Sequence, residues 1–425
     1  MTAHAAPDAG RSVFVEHPSR EAIYAELHAR AIEPIATSAR IRRVSFMPGP
    51  NGPALHEVAA RFATFAGMSA LSLDDGRIRH IKAERNGRKI IWELHNEFAT
   101  LTWQSVLTDW EAWPEGIGLS CFEGLELVSA TRIDLTETSA ITEEALVGFN
   151  PITLCYSDMY AGHAQVATDF KRDRDGFTRY ELAAGQCNVL RRGVLVRRLL
   201  EIETYSNFVL LGLPVARSYA PTIHGLEAAL SGVMGRIGHA HSLAENREAL
   251  DGIHALSAEV GRGIEETSFR FAASQAYADV LKTRLVQLVE TPIGEFTTIE
   301  RYLTNRTDPA VATCLATEKR LKALAMKLQR SAELLNAHIS LNLEMQNQTI
   351  LDTISRTSES QYRLQETVEG LSIIAISYYA LAILGYIIEG FSHIWHVDKG
   401  IVMLCAAPIM LLLVWRGIKR LRKAA

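Results

Sequence analysis

The stretch after Gly370 constrains this chain most, because it holds two apolar segments free of charged residues. Residues 371–388 run for about 18 positions and residues 401–415 for about 15, against the ~20 that cross a ~30 Å hydrocarbon layer and a practical minimum of ~17. The second gains length from Gly400, Gly417 and Ile418 and ends in Trp415 beside a basic cluster, which suits a membrane interface. Only residues 389–399 separate the two. The pattern predicts a transmembrane helical hairpin over 371–416, with spans at 371–388 and 400–416.

Basic residues orient that hairpin. Arg416, Lys419, Arg420, Arg422 and Lys423 crowd the tail at 417–425 and the turn before it, whereas the connection holds Lys399 against Glu389 and Asp398. The positive-inside rule places the C-terminus in the cytoplasm. Two spans return the chain to its starting side, so the long N-terminal portion is expected there too, in a bacterial inner membrane protein. Residues 1–10 have neither a basic start nor an apolar core and do not read as a signal peptide. Residues 1–15 read as a disordered tail.

Before the first span, residues 310–369 contain neither glycine nor proline. Leu321, Leu324, Leu328, Leu335, Ile339, Leu343, Ile350 and Ile354 follow three-four spacing, with Gln346 interrupting. A stalk helix over 309–370, about 60 residues and ~90 Å long at ~1.5 Å per residue, is expected to run into the bilayer. Its stripe needs partners, either other helices of the chain or copies of itself in a coiled coil.

The remainder has an ordinary composition. The 425 residues are 48% hydrophobic and 22% charged with net charge -4, which excludes a collagen, a disulfide miniprotein and a polytopic transporter and gives no pull toward nucleic acid. Five cysteines, Cys121, Cys155, Cys187, Cys314 and Cys405, include no C-x-x-C pair; they read as small apolar residues in a reducing compartment. Strand signals lie in 88–106, 119–135 and 152–170, with turns at Ala161-Gly162 and Asp175-Gly176 and a helix at 55–68. Segments 191–213, 221–236, 241–267 and 269–289 read as helices. The expected fold is an α+β cytoplasmic domain at 16–185, a mainly α-helical region at 186–308, the stalk helix and the transmembrane hairpin.

Residue clusters give little chemistry. Lys171 to Gly176 superficially suggests a calcium loop, but Lys171 and Leu182 would fall where oxygen ligands are required, so a polar turn is preferred. Glu93, His95 and Glu97 alternate on one strand face, compatible with a metal but more simply a solvated sheet surface. Glu26 to Arg30 reads as one surface helix. His239 and His241 would point apart on a helix. Arg191, Arg192, Arg197 and Arg198 form a basic face, with Glu201 spaced to pair with Arg197. His393, His396 and Asp398 lie in the connection between the spans, as a ring at an outer mouth if copies surround an axis. No nucleotide cradle, G-x-S-x-G or H-E-x-x-H motif occurs, and no enzyme is expected.

Several phrases carry a resemblance. They are His17-Pro18-Ser19-Arg20 with Glu26-Leu27-His28-Ala29-Arg30, Trp92 to Phe98, Leu199 to Tyr205 with Leu213-Pro214, and Thr367 to Ser372 with Tyr378-Tyr379. Together they resemble the bacterial membrane-anchored proteins grouped as domain of unknown function 3422, across nearly the whole chain. Ala31 stands where that family usually continues into proline. The resemblance implies no catalytic residues. In architecture the chain is also similar to the CorA-type magnesium channels, homopentamers whose first span lines the pore. Their Gly-Met-Asn signature is absent, and Glu389-Gly390-Phe391 stands there instead.

Two functions follow as expectations. One is a homo-oligomeric cation channel, with Tyr378, Gly385 and Glu389 on one face of the first span as the ion pathway and a divalent cation as the ion carried. The other is a membrane-tethered scaffold or sensor whose cytoplasmic domain binds a protein partner. No cofactor is indicated.

Overall fold

A computed structural model describes residues 17–20, 23–24, 32–68, 79–237, 242–392 and 399–424. The chain divides into two compact units. One comprises residues 1–235 and 252–329, the other residues 236–251 and 330–425. The expected tail and Glu26 to Arg30 lie outside the described residues, as do His239, His241, His393, His396 and Asp398.

The first unit is built on one nine-stranded sheet. Its strands are β1 (Ala39–Pro48), β2 (His80–Arg85), β3 (Arg88–Leu94), β4 (Ala99–Val106), β5 (Leu125–Thr136), β6 (Cys155–Met159), β7 (Ala164–Thr168), β8 (Thr178–Ala183) and β9 (Glu290–Pro292). They run in the order β2-β3-β4-β1-β5-β8-β7-β6-β9. Among these nine strands only β5 and β8 pair in parallel. The others pair by hairpins or antiparallel returns. Tight turns form where glycine meets left-handed backbone: Asn86 and Gly87 join β2 to β3, and Tyr160 to Gly162 join β6 to β7, all with positive φ.

Helix α1 (Leu55–Phe65) covers one face of the sheet, burying Val58 and Phe62 against Trp92, Leu101 and Trp103. The Phe62 and Trp92 rings stack with centroids 5.9 Å apart. Helix α2 (Val189–Leu210) covers the opposite face. Asn188 caps it by accepting the Arg191 backbone N–H at 2.8 Å. Leu195, Leu199 and Ile202 share a core with Ile41, Ile133, Tyr180 and Leu182 of the sheet. Helix α3 (Gly212–Ile237) follows. Leu281 and Leu285 of α4 (Leu243–Val286) join the α2 core, as do Ile299 and Leu303 of α5 (Ile299–Ser392).

The structure adds three features to the sequence expectation. Residues 243–286 form one helix rather than two. The segment 186–308 is mainly helical, as expected; it also supplies the three-residue β9 at the sheet edge, and α2 shares its core with strands before position 185. Glu290 of β9 also ends the connection to α5. Its carboxylate accepts from Ser157 Oγ at 2.6 Å and from the Ile299 and Glu300 backbone N–H groups at 3.1 and 2.9 Å. The third feature is the stalk. Helix α5 runs unbroken for 94 residues through Pro309, and Leu321, Leu324 and Leu328 of its stripe are buried within the first unit.

In the second unit α5 continues to the apolar segment and α6 (Lys399–Ala424) packs back on it. A Cβ on Gly385 would stand 3.6 Å from Met403 Cε, ordinary contact distance. Both helices are long and apolar enough to cross a membrane. They expose Ile374, Ile383, Leu404 and Ile409 rather than burying them.

The α1 face of the sheet carries charge as well as apolar rings. Arg40 on β1 lies opposite Asp134 on β5 and grips both its oxygens, at 2.6 and 2.9 Å. Asp134 in turn lies beside Glu181 on β8, which Arg179 holds at 2.8 Å. Burial, with the Asp134 charge second, pushes the Glu181 carboxyl up to about 7.

Two predictions arise here. Gly193 of α2 lies so close to the Glu33 backbone that a Cβ would sit 2.0 Å from that carbonyl oxygen. Helix propensity alone would favour Gly193→Ala by ~1 kcal/mol. The clash reverses the sign, and we expect a loss of about 1–3 kcal/mol in chemical denaturation. Second, Glu181 holds its proton more tightly folded than unfolded. Its contribution is full below the unfolded value of 4.5 and is lost as pH rises toward about 7. Glu181→Gln should flatten the fall in melting temperature across that window.

Candidate functional site

Beneath α2, the end of the sheet formed by β1, β2, β3 and β4 leaves a cavity of about 330 Å³. The strand period builds its floor. Ile41 and Arg43 of β1 face the same side as Thr102 and Gln104 of β4, Lys89, Ile91 and Glu93 of β3, and His80 and Lys82 of β2. Val196, Arg197 and Leu200 of α2 close it from above, with Glu33 and Ile35 at one side. The walls are thus mixed: Ile35, Ile41, Ile91, Val196 and Leu200 supply aliphatic surface, and charged groups converge from three strands and one helix, a combination small-molecule sites commonly take.

The electrostatics centre on one buried pair. Arg43 Nη2 donates to Glu93 Oε2 at 2.9 Å, and both side chains are only 8% exposed. Arg43 Nε also donates to Thr102 Oγ1 at 2.8 Å. Burial pulls the Glu93 carboxyl upward, but Arg43 first, then His95 and Arg197, outweigh it, and it lies below the usual carboxylate range. Beyond that pair the charges continue in a chain. Arg197 donates to Glu201 at 2.9 Å, and Arg284 of α4 donates to the other Glu201 oxygen at 2.5 Å. Lys82 pairs with Glu33 at the rim. Burial lowers the His80 imidazole, with Glu93 partly opposing, so His80 is neutral near pH 7.

The expected triad Glu93, His95 and Glu97 separates. Strand β3 ends at Leu94, and His95 lies in the turn to β4, where its backbone N–H donates to the Phe98 carbonyl at 2.8 Å. The face that carries Glu93 is covered by α2 rather than solvated. His95 stacks on Phe98 with centroids 4.1 Å apart. Glu97 accepts both Arg270 nitrogens, at 3.1 and 2.6 Å. Among the described residues no group of three or more His, Cys, Asp and Glu side chains could hold a metal ion. At Asp173 to Gly176, Asp173 Oδ1 accepts the Asp175 and Phe177 backbone N–H groups, which is a polar turn. The Arg197–Glu201 pair forms as its spacing predicts. Four cysteines are buried and Cys405 is exposed, all as free thiols.

No motif in the sequence marks Arg43, His80, Lys82 and Lys89 as site residues. The one signal for them is the run Arg40-Ile-Arg42-Arg43-Val, arginines set among β-branched residues. In the spans, Tyr378 is exposed, while Gly385 meets Met403 of the second helix.

The profile of a family described as protein of unknown function (DUF3422) matches residues 15–425. No curated protein and no solved structure matches the chain. These comparisons lend no support to the likeness with CorA-type channels.

Arg43→Met would leave the Glu93 carboxylate buried without its closest cation. We expect a loss of about 3–5 kcal/mol in urea denaturation, most of it restored in Arg43→Met/Glu93→Leu, where both charges are gone.

Proposed function

The chain belongs to the DUF3422 family over both its sheet-bearing unit and its apolar helices, and on that premise we propose that it is a membrane-tethered sensor whose sheet-bearing unit binds a small amphiphilic molecule. The observation that carries this reading is the cavity beneath α2, where Ile35, Ile41, Ile91, Val196 and Leu200 supply apolar surface and Arg43, Lys82, Lys89 and Arg197 stand around it beside Glu33, Glu84 and Glu93. Such a lining suits a ligand with an apolar body and one anionic group. The tether is the hairpin of α5 and α6, whose large apolar side chains are exposed, as lipid contact requires. The basic cluster from Arg416 to Lys423 supports an inner-membrane location with both ends cytoplasmic. In this reading the exposed second half of the α5 stripe, Leu343, Ile350 and Ile354, joins a second copy or a protein partner.

A second reading, a homo-oligomeric conduit for a divalent cation, draws on one observation. The first span exposes Tyr378, Tyr379 and Tyr386, whereas the second exposes aliphatic side chains and Trp415. Tyr378, Gly385 and Glu389 remain its proposed pathway. It requires a defined oligomer in detergent and cation flux into liposomes that Glu389→Ala reduces.

The sensor reading is tested with the fluorescent amphiphilic anion 8-anilinonaphthalene-1-sulfonate on the full chain in nanodiscs, with empty nanodiscs as blank. Saturable binding should fall at least about tenfold in Val196→Trp, which fills the cavity. Equal binding by both proteins would overturn it.

A further inference from the structure

On the other face of the sheet, the one under α1, one buried arginine has no carboxylate hydrogen-bonded to it among the described residues. Arg42 of β1 is 1% exposed. Its Nη2 reaches the Asp109 backbone carbonyl at 3.3 Å, while Nε and Nη1 meet no acceptor among the described residues. Directly opposite it on β5 stands another arginine, Arg132, and like charges so placed repel. The neighbouring carboxylates are already engaged. Asp134 holds Arg40, Asp109 holds Arg88 at 2.9 Å, and Asp173 holds Arg132 at 2.8 Å. Burial first, then the Arg40 charge, pulls the Arg42 guanidinium down to about 10. A buried cation with nitrogens unmatched is costly unless an anion compensates it.

Arg132 also lines an open cleft of about 570 Å³ in the same unit. Arg179, Lys171, Arg172 and Arg174 border it. Three aspartates do so as well, but two have their oxygens committed. Asp169 accepts the backbone N–H groups of Asn150 and Lys171, and Asp173 those of Asp175 and Phe177 besides Arg132. Lys171 and Arg172 are exposed. At the rim Trp110 is 67% exposed, with one ring face on the Arg40 guanidinium at 3.9 Å. Arginine forks with a lysine beside them match phosphate oxygens in number and geometry.

We infer that this cleft binds a phosphate-bearing molecule, with Arg132, Lys171 and Arg172 meeting the phosphate and buried Arg42, which no carboxylate pairs directly, supplying positive charge behind them. Arg42 acts as a positioning charge and touches no ligand. The free face of the Trp110 indole is available to a planar group on the same molecule. Phosphate of this kind could arrive on a soluble metabolite or on a lipid headgroup, and the chemistry of the cleft is common to both.

The experiment follows thermal unfolding of the full chain in detergent during titration with inorganic pyrophosphate and, separately, with short-chain phosphatidic acid. A saturable rise in melting temperature with either supports the site, and the probe effective at lower concentration identifies the source. Lys171→Ala/Arg172→Ala removes exposed side chains and should fold normally while raising the half-saturating concentration about tenfold. Arg42→Met should raise the melting temperature in anion-free buffer and shrink the ligand-induced rise. The proposal is overturned by no saturable effect of either probe, by unchanged binding in the Lys171/Arg172 variant, or by an Arg42→Met protein less stable than the parent. Val196→Trp on the opposite face should leave these titrations unchanged, which separates this site from the cavity beneath α2.

Discussion

The sheet-bearing unit depends on how strand β1 accommodates three arginines at the centre of a nine-stranded sheet. β1 pairs with β4 on one side and β5 on the other, so neither edge of the strand is open, and its residues from Ala39 to Ser45 are buried on both faces. Arg40, Arg42 and Arg43 are all buried, and each guanidinium must find acceptors inside the fold or carry a large desolvation cost. Arg43 finds Glu93 and Thr102 under α2; Arg40 finds Asp134 under α1. These partners come from β3, β4 and β5, so register errors in any of the three would strand a charge. On this argument the ion pairs act on specificity of pairing more than on net stability, which is why removing one partner of the Arg43–Glu93 pair is costly while removing both is not.

The same arrangement explains what could be read in advance. The apolar segments, the unbroken helix before them and the basic tail are one-dimensional features, and α5 and α6 follow from them directly. The hairpin of β6 and β7 and the Asp173–Gly176 turn were legible for a similar reason, since turn chemistry is local. Strand β1 was not. Its sequence, Ala-Arg-Ile-Arg-Arg-Val-Ser-Phe, lacks the apolar–polar alternation that marks a half-buried strand, because both of its faces are covered and both contain charge. β9 was hidden by its length, three residues ending in proline.

The candidate site was less legible than the fold. Its lining residues come from β1 to β4, from the segment before β1 and from a helix that begins only at Val189, and no spacing rule links them. Glu93, His95 and Glu97 illustrate the limit. Two-residue spacing holds only while the strand continues, and it stops at Leu94. Past that point each side chain answers to a different neighbour: α2 above Glu93, Phe98 for His95 and Arg270 for Glu97.

The short edge strand has a consequence for biosynthesis. β6 pairs with β9 through Ser157 and Pro292, and the core beneath the sheet receives Ile299 and Leu303 from the start of α5. Contacts so distant along the chain form slowly, and here they cannot form until almost three quarters of the polypeptide has been made. A ribosome translating this chain therefore leaves the β6 edge open from Met159 until Glu290 to Pro292 emerge, then has only the rest of α5 to emit before the first apolar segment arrives. Capture of that edge by Glu290 to Pro292 and delivery of the hairpin fall close together in time, so a pause placed after Pro292 would favour sheet closure over aggregation at the nascent edge.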